Sequence, residues 1–224
     1  MLRRRLLILS AKTQTSIWTR TGLTLLAVLA MVSLRITPLY ADPDAAPTVK
    51  VKATLAEALT ILHDQQAPVE QRRTNLIKLA EANLDLKRMA QGSLGDQWTQ
   101  LSPAERDDFV GLFTAFIEEA YLVQIQEYVQ LNIAVTKGRM INPDFAEVDA
   151  IVHQPHEEDL PITFLLERRG NDWIVYDVNV EGVSMVQNYR TQFTRVIKKE
   201  GLPALMSDLR DKQKSLAGLI GQTG

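Results

Sequence analysis

Four groups of residues in this chain could do chemistry. "HQPHEED" gathers His153, His156, Glu157, Glu158 and Asp159, donors that zinc and related metals accept. No third histidine lies close in sequence, and Pro155 among acids reads as a solvated hairpin turn, so no metal is expected. "QGSLG" sets Ser93 among glycines in the manner of a nucleophile elbow. Its first glycine is out of place for G-x-S-x-G, however, and no strand precedes it. Ser184 has no histidine nearby, and a helix-capping role accounts for it. Asp177 and Glu181 close an apolar segment and could act in acid–base catalysis, but no histidine accompanies either. The chain has no cysteine, which excludes thiol chemistry, disulfides and a lipidated cysteine. These groups predict no catalytic residue and no cofactor.

The elements that would position such groups follow from periodicity. Residues 51–128 are predicted helical. Leu55, Leu59 and Leu62 mark a first helix, and Leu76, Leu79, Ala80 and Leu84 share one face of a second. A third is expected from about Leu84 to Gly92, ended by Gly92 and Gly95. Ser102 and Glu105 form a capping box, with Pro103 at the first helical position. In the helix that follows, Phe109, Phe113, Phe116, Ala120, Gln124 and Tyr128 recur every three or four residues, and Val110, Ile117 and Tyr121 widen the stripe. The period then shortens to that of strands in "NIAVTKGRMI", "AEVDAIVHQ" and "ITFLLERRGNDWIVYDVNV", broken by Gly138, Asn142-Pro143, Pro155 and Gly170-Asn171. After Gly182 a second capping box, Ser184 with Gln187, opens a helix to about Lys199, and Pro203 opens the last one. Helices, then strands, then helices predict an α+β fold, with an antiparallel sheet of about four strands and helices on one side.

With 224 residues and 46% hydrophobic side chains, the chain can bury a substantial core. Its formal charge of -2 hides an asymmetry. Residues 1–41 hold six basic residues and no acid; 25 less 6 leaves 19 Lys and Arg against 27 Asp and Glu, about -8 for the rest. So acidic a domain is a poor match for nucleic acid or anionic lipid. Residues 1–41 resemble an export signal: a basic start, the apolar run "GLTLLAVLAMVSL", then "PLYADP" with cleavage expected after Ala41. The competing reading is an uncleaved anchor, and either one places the remainder outside the cytoplasm. Residues 42–50 read as a Pro/Ala linker and 51–220 as one domain.

The surplus in this sequence is apolar surface. Alternation sends Trp173, Val175 and Asp177 to one face of their strand and Ile174, Tyr176 and Val178 to the other. The helix after Ser184 adds a stripe of Val186, Tyr189, Phe193 and Ile197. A close-packed core and an incomplete core holding an apolar ligand predict the same stripes.

"WIVYDVNVEGVSMVQNYRTQFTRVIKKEGLPALMSDL" resembles the closing signature of the MlaC-like, toluene-tolerance family of periplasmic phospholipid-binding proteins. "LDLKRMAQGSLGDQWTQLSPAERDDFVGLF" is similar to that family's D-x-x-x-M-A-x-x-x-L-G-x-x-W segment and the helix after it. The resemblance runs from about Val51 to Leu209. It implies a periplasmic carrier, not an enzyme, with a twisted sheet and helices enclosing a lipid cavity. Implied partners are phospholipid, an inner-membrane MCE-domain protein of an ABC transporter, and an outer-membrane lipoprotein complex, with no nucleic acid; a monomer is expected. A branch of the family tied to hopanoid-producing bacteria is an alternative.

On this reading Phe109, Phe113, Phe116, Tyr121, Tyr128, Val175, Val186, Tyr189 and Phe193 are the expected lipid contacts. Arg190 either meets a phosphate at the cavity mouth or pairs with Asp177. Two rival classes are a small enzyme on a cone-like α+β fold and an interaction module with a filled core. A cavity above a few hundred Å3 lined by these stripes favours the carrier, whereas a small polar pocket at Asp177 favours the enzyme.

Overall fold

Capping residues set the helix starts. The computed structural model describes residues 45–122, 132–153 and 158–220, with the backbone alone for 119, 121, 122 and 215–220. Helix α1 spans Ala45–His63, so residues 45–50, expected as linker, are helical. Pro47 lies in its first turn, where a missing N–H breaks no helical hydrogen bond, and its ring is buried. Helix α2 spans Val69–Asn83. Leu84 then turns extended and makes a parallel bridge to Val175. The helix expected from Leu84 therefore starts two residues later, as α3, Leu86–Leu94, because Asp85 caps it by accepting from Arg88 N. A 3-10 helix, Gly95–Gln100, follows. Helix α4, Pro103–Leu122, opens on the expected capping box: Glu105 N donates to Ser102 Oγ at 3.3 Å, and Ser102 N donates to Glu105 Oε2 at 2.8 Å.

The strands form a meander in the order β1-β2-β3-β4-β5, each pair antiparallel. They are β1 Asn132–Asn142, β2 Phe145–His153, β3 Leu160–Arg169, β4 Asp172–Val180 and β5 Val183–Ser184. The sheet thus has five strands where four were expected. β5 has two residues, too few to show a period. Glu181 and Gly182 both have positive φ and make the tight turn that pairs Val180 with Val183. Between β1 and β2, Asn142 Oδ1 accepts from Asp144 N and Phe145 N. Thr136 and Ile141 interrupt the β1–β2 register as bulges.

A bulge in β4 also changes which side chains share a face. Leu166 faces Val175, but Leu165 faces Asp177, so Tyr176 is an extra residue. Simple alternation predicts Val178 on the face opposite Trp173 and Val175. The bulge instead places Val178 with them and turns Asp177 away.

Two cores result. On the sheet, Ala146, Val148, Leu166, Trp173 and Val175 bury against Val51 and Leu55 of α1. The other core joins α3 and α4 to α5, Met185–Glu200, and α6, Leu202–Ile220. Both α3 and α5 abut β4. A third, small cluster of Leu62 and Leu76 holds α1 to α2.

Helices α3 and α5 meet where a side chain is missing. A Cβ on Gly92 would lie 2.6 Å from Val186 Cγ1, and one on Gly95 would lie 2.5 Å from Arg190 Nε. Gly95 also has φ +56, which favours glycine. Gly92→Ala should therefore lower stability by about 1–3 kcal/mol in urea unfolding. Adding Val186→Ala in the same chain should restore part of that loss. An unchanged midpoint for Gly92→Ala would refute the close contact.

Candidate functional site

The chemistry candidates resolve first. Asp177 is buried, and its oxygens are occupied by the turn into α5. Oδ1 accepts from Val178 N at 2.8 Å and Val186 N at 3.2 Å, while Oδ2 accepts from Ser184 Oγ at 2.5 Å. Ser184 Oγ in turn accepts from Gln187 N at 3.0 Å, capping α5. The carboxylate thus satisfies a helix N-terminus and the strand preceding it, where negative charge is favoured. Ser93 is fully buried and donates to Ala90 O. His153 pairs with Asp159 at 2.7 Å, while His156 and Glu157 lie outside the described residues. Among the described residues no group of three or more His, Cys, Asp or Glu could hold a metal, and no helix is long and apolar enough to cross a membrane.

The aromatic stripes do come together. Phe109, Phe113 and Phe116 of α4 meet Tyr189 and Phe193 of α5, with ring centroids 5.1–6.4 Å apart and most pairs edge to face. Phe109 and Phe113 have no exposed surface, and Val186 packs in the same cluster. Val175 belongs to the sheet core. Tyr128 and the Tyr121 side chain lie outside the described residues. Arg190 lies over Gly95 with its guanidinium 3.5 Å from Asp96, not on Asp177. It lines a polar groove along α5 with Gln187, Thr191, Thr194, Arg195 and Lys198.

An apolar cavity of about 190 Å3 lies beside this cluster, where α2, α3, α4 and β4 converge. Ile77 and Ala80 of α2 wall one side, followed by Leu84, and Leu86 and Met89 of α3 another. Ile117 of α4, Val178 of β4 and Met185 of α5 close it. Val178 reaches it because of the bulge at Tyr176. None of the eight expected contacts with described side chains lines this cavity, and its volume is below the few hundred Å3 expected. Of these, Val175 packs in the sheet core, Arg190 lies in the polar groove along α5, and the others pack in the neighbouring helical core. The signal for the cavity was the i, i+3, i+4, i+7 spacing of Ile77, Ala80, Glu81 and Leu84, a second face of α2 beside the Leu76 face.

Two carboxylates complete the lining, Glu81 of α2 and Glu118 of α4. Burial holds the Glu118 carboxyl above the usual range, the charge of Glu81 adds to this, and Arg73 opposes both.

A family model described as MlaC protein matches residues 52–211. The chain is similar to the intermembrane phospholipid transport system binding protein MlaC of Haemophilus influenzae (strain ATCC 51907 / DSM 11121 / KW20 / Rd), with 22% identity over 121 residues. That alignment takes in 52% of this chain and 56% of the relative, so the chain spans about half the length of the curated relative it matches. In structure it is similar to a phospholipid-binding protein from Ralstonia solanacearum solved in complex with a phospholipid, with a TM-score of 0.67 at 21% identity. The superposition covers 77% of this chain and 99% of the other, and it shows a shared fold.

Removing the carboxylate with Asp177→Ala should cost about 2–3 kcal/mol in chemical denaturation, since it orphans buried N–H donors. A change near zero would refute the capping role. For Glu118, the raised value means that the folded state favours the protonated form. Its contribution to stability is complete below the ordinary carboxylate range and is lost as pH rises through the raised value. Glu118→Gln should therefore raise the melting midpoint slightly at neutral pH, and the gain should vanish on acidification. Melting curves across pH test this, and an equal shift at every pH would contradict it.

Proposed function

The chain belongs to the MlaC protein family, and on that premise we propose that it carries phospholipid between membranes as a periplasmic binding protein rather than an enzyme. The observation that supports this most directly is the apolar cavity between α2, α4 and β4, in a fold shared with a protein solved with phospholipid bound. An acyl chain in water costs roughly 0.8 kcal/mol per methylene, so two long chains oppose free diffusion between bilayers by on the order of 20 kcal/mol. A protein wall of leucine, isoleucine and methionine side chains offsets that term without any reaction. At about 190 Å3 the cavity takes up only part of a lipid, so loading must part its walls. Helix α2 is the wall suited to moving, because its own cluster with α1 rests on two buried residues, Leu62 and Leu76. The donors and acceptors of this carrier would be an outer-membrane lipoprotein complex and an inner-membrane MCE-domain protein of an ABC transporter. The aromatic cluster of α4 and α5 would act as the rigid back wall, with lipid contact at its margin.

The test is native mass spectrometry of residues 42–224, purified without detergent and followed by lipid extraction. The expected result is near-stoichiometric glycerophospholipid. A hopanoid in its place would move the chain to the other branch of the family. A lipid-free mass that stays unchanged after incubation with phospholipid vesicles would overturn the carrier reading.

A further inference from the structure

The lining of the cavity is almost all hydrocarbon, yet two of its residues are acids. Glu81 is exposed at the rim, and Glu118, on the facing helix, is half-buried. Neither makes a hydrogen bond or an ion pair among the described residues. A carboxylate partly out of water and without a donor destabilises a fold. Here two line the same apolar space, and the charge of Glu81 opposes the ionisation of Glu118.

The cation that acts on Glu118 is Arg73 of α2, one turn from Ile77. Its residue surface is only 9% exposed, and its Nε is buried without a hydrogen-bond partner. Its single ion pair among the described residues, Nη1 to Glu70, is long at 3.9 Å. Two carboxylates thus line the cavity, unpaired among the described residues, and one under-used guanidinium acts on Glu118 from outside that lining. That set is complementary to a group carrying one negative and one positive charge. A phosphate would draw on Arg73, and a primary ammonium attached to it would neutralise Glu81 and Glu118. A headgroup of phosphate and hydroxyls alone would bring further negative charge toward two carboxylates and supply no cation.

We propose that Glu81 and Glu118 are specificity-determining residues that favour phospholipids bearing a primary amine over purely anionic ones. The inference rests on the phospholipid reading given above. It assigns headgroup recognition to α2 and α4, apart from the Arg190 groove on α5.

The experiment uses lipid-freed protein incubated with vesicles of equal phosphatidylethanolamine and phosphatidylglycerol. The protein is re-isolated and its bound lipid quantified by mass spectrometry. The wild type should bind phosphatidylethanolamine over phosphatidylglycerol at a ratio of roughly three to five, against equal amounts in the vesicles, as expected of partly exposed ion pairs. The lipid bound by Glu81→Gln with Glu118→Gln should fall to the vesicle proportion, and Glu118→Lys should shift the ratio toward phosphatidylglycerol. Glu81→Gln alone, at an exposed position, keeps the test open should the double variant not fold, and should lower the enrichment. Uptake by the wild type in vesicle proportion, or a variant ratio equal to that of the wild type, overturns this inference and leaves the carrier reading standing. No lipid taken up by the wild type overturns both.

Discussion

The closeness of α3 to α5 is the constraint on which the remaining structure depends. At Gly92 the two helices approach until a single methyl group would collide with Val186. Each helix is also tied to β4. Asp85, the cap of α3, donates its N–H to Val175 O, and Asp177, from within β4, accepts from Val186 N at the start of α5. Strand β4 thus fixes both helix origins, and the glycine fixes their separation. The aromatic cluster can then close between α4 and α5, and the apolar cavity is the space left where α2 joins the same junction. The two long sequence stretches that carry the family resemblance are the two sides of this contact, which explains why glycines stand in one opposite valine and arginine in the other.

Much of this was legible in the residues. The Ser102 and Ser184 caps, the stop at Gly95 and the four long strands are local decisions, made by groups a few positions apart, whereas Gly92, expected to end α3, lies within it. The α4 and α5 stripes also found each other, because broad apolar faces must bury and few partners were on offer. What periodicity could not supply was the content of the space opposite each face. Phe109 and Phe113 meet rings, whereas Ile77 and Met89 meet a gap, and nothing in their spacing distinguishes the two. The bulge at Tyr176 was equally hidden. One inserted residue reverses the parity of everything after it, so Val178 and Asp177 exchanged faces without any change in composition. Pro47 misled in the other direction, since proline near a chain start reads as linker although the first helical turn tolerates it.

The second face of the sheet has a different character. Arg88 lies 4.1 Å from the centre of the Tyr176 ring and pairs with Glu167, and Arg139 bridges Glu147 and Asp149. Thr163 donates to Asp149 beside them. These contacts hold α3 and neighbouring strands by charge and cation–π attraction rather than by burial, and individually each contributes little where it is exposed. The sheet therefore has a greasy side that faces α1 and a charged side, and the first is continuous with the cavity through Val178.

The bulges in β1 bear on how the molecule survives in company. An outermost strand of eleven residues would ordinarily be an invitation to any extended chain seeking backbone partners. Thr136 and Ile141 break its rhythm, and Lys137 and Arg139 between them add charge. No stretch of that margin offers the straight, regular ladder that fibril growth copies. With no disulfide to hold it shut, the chain is thus given an outline that discourages its own copies from stacking.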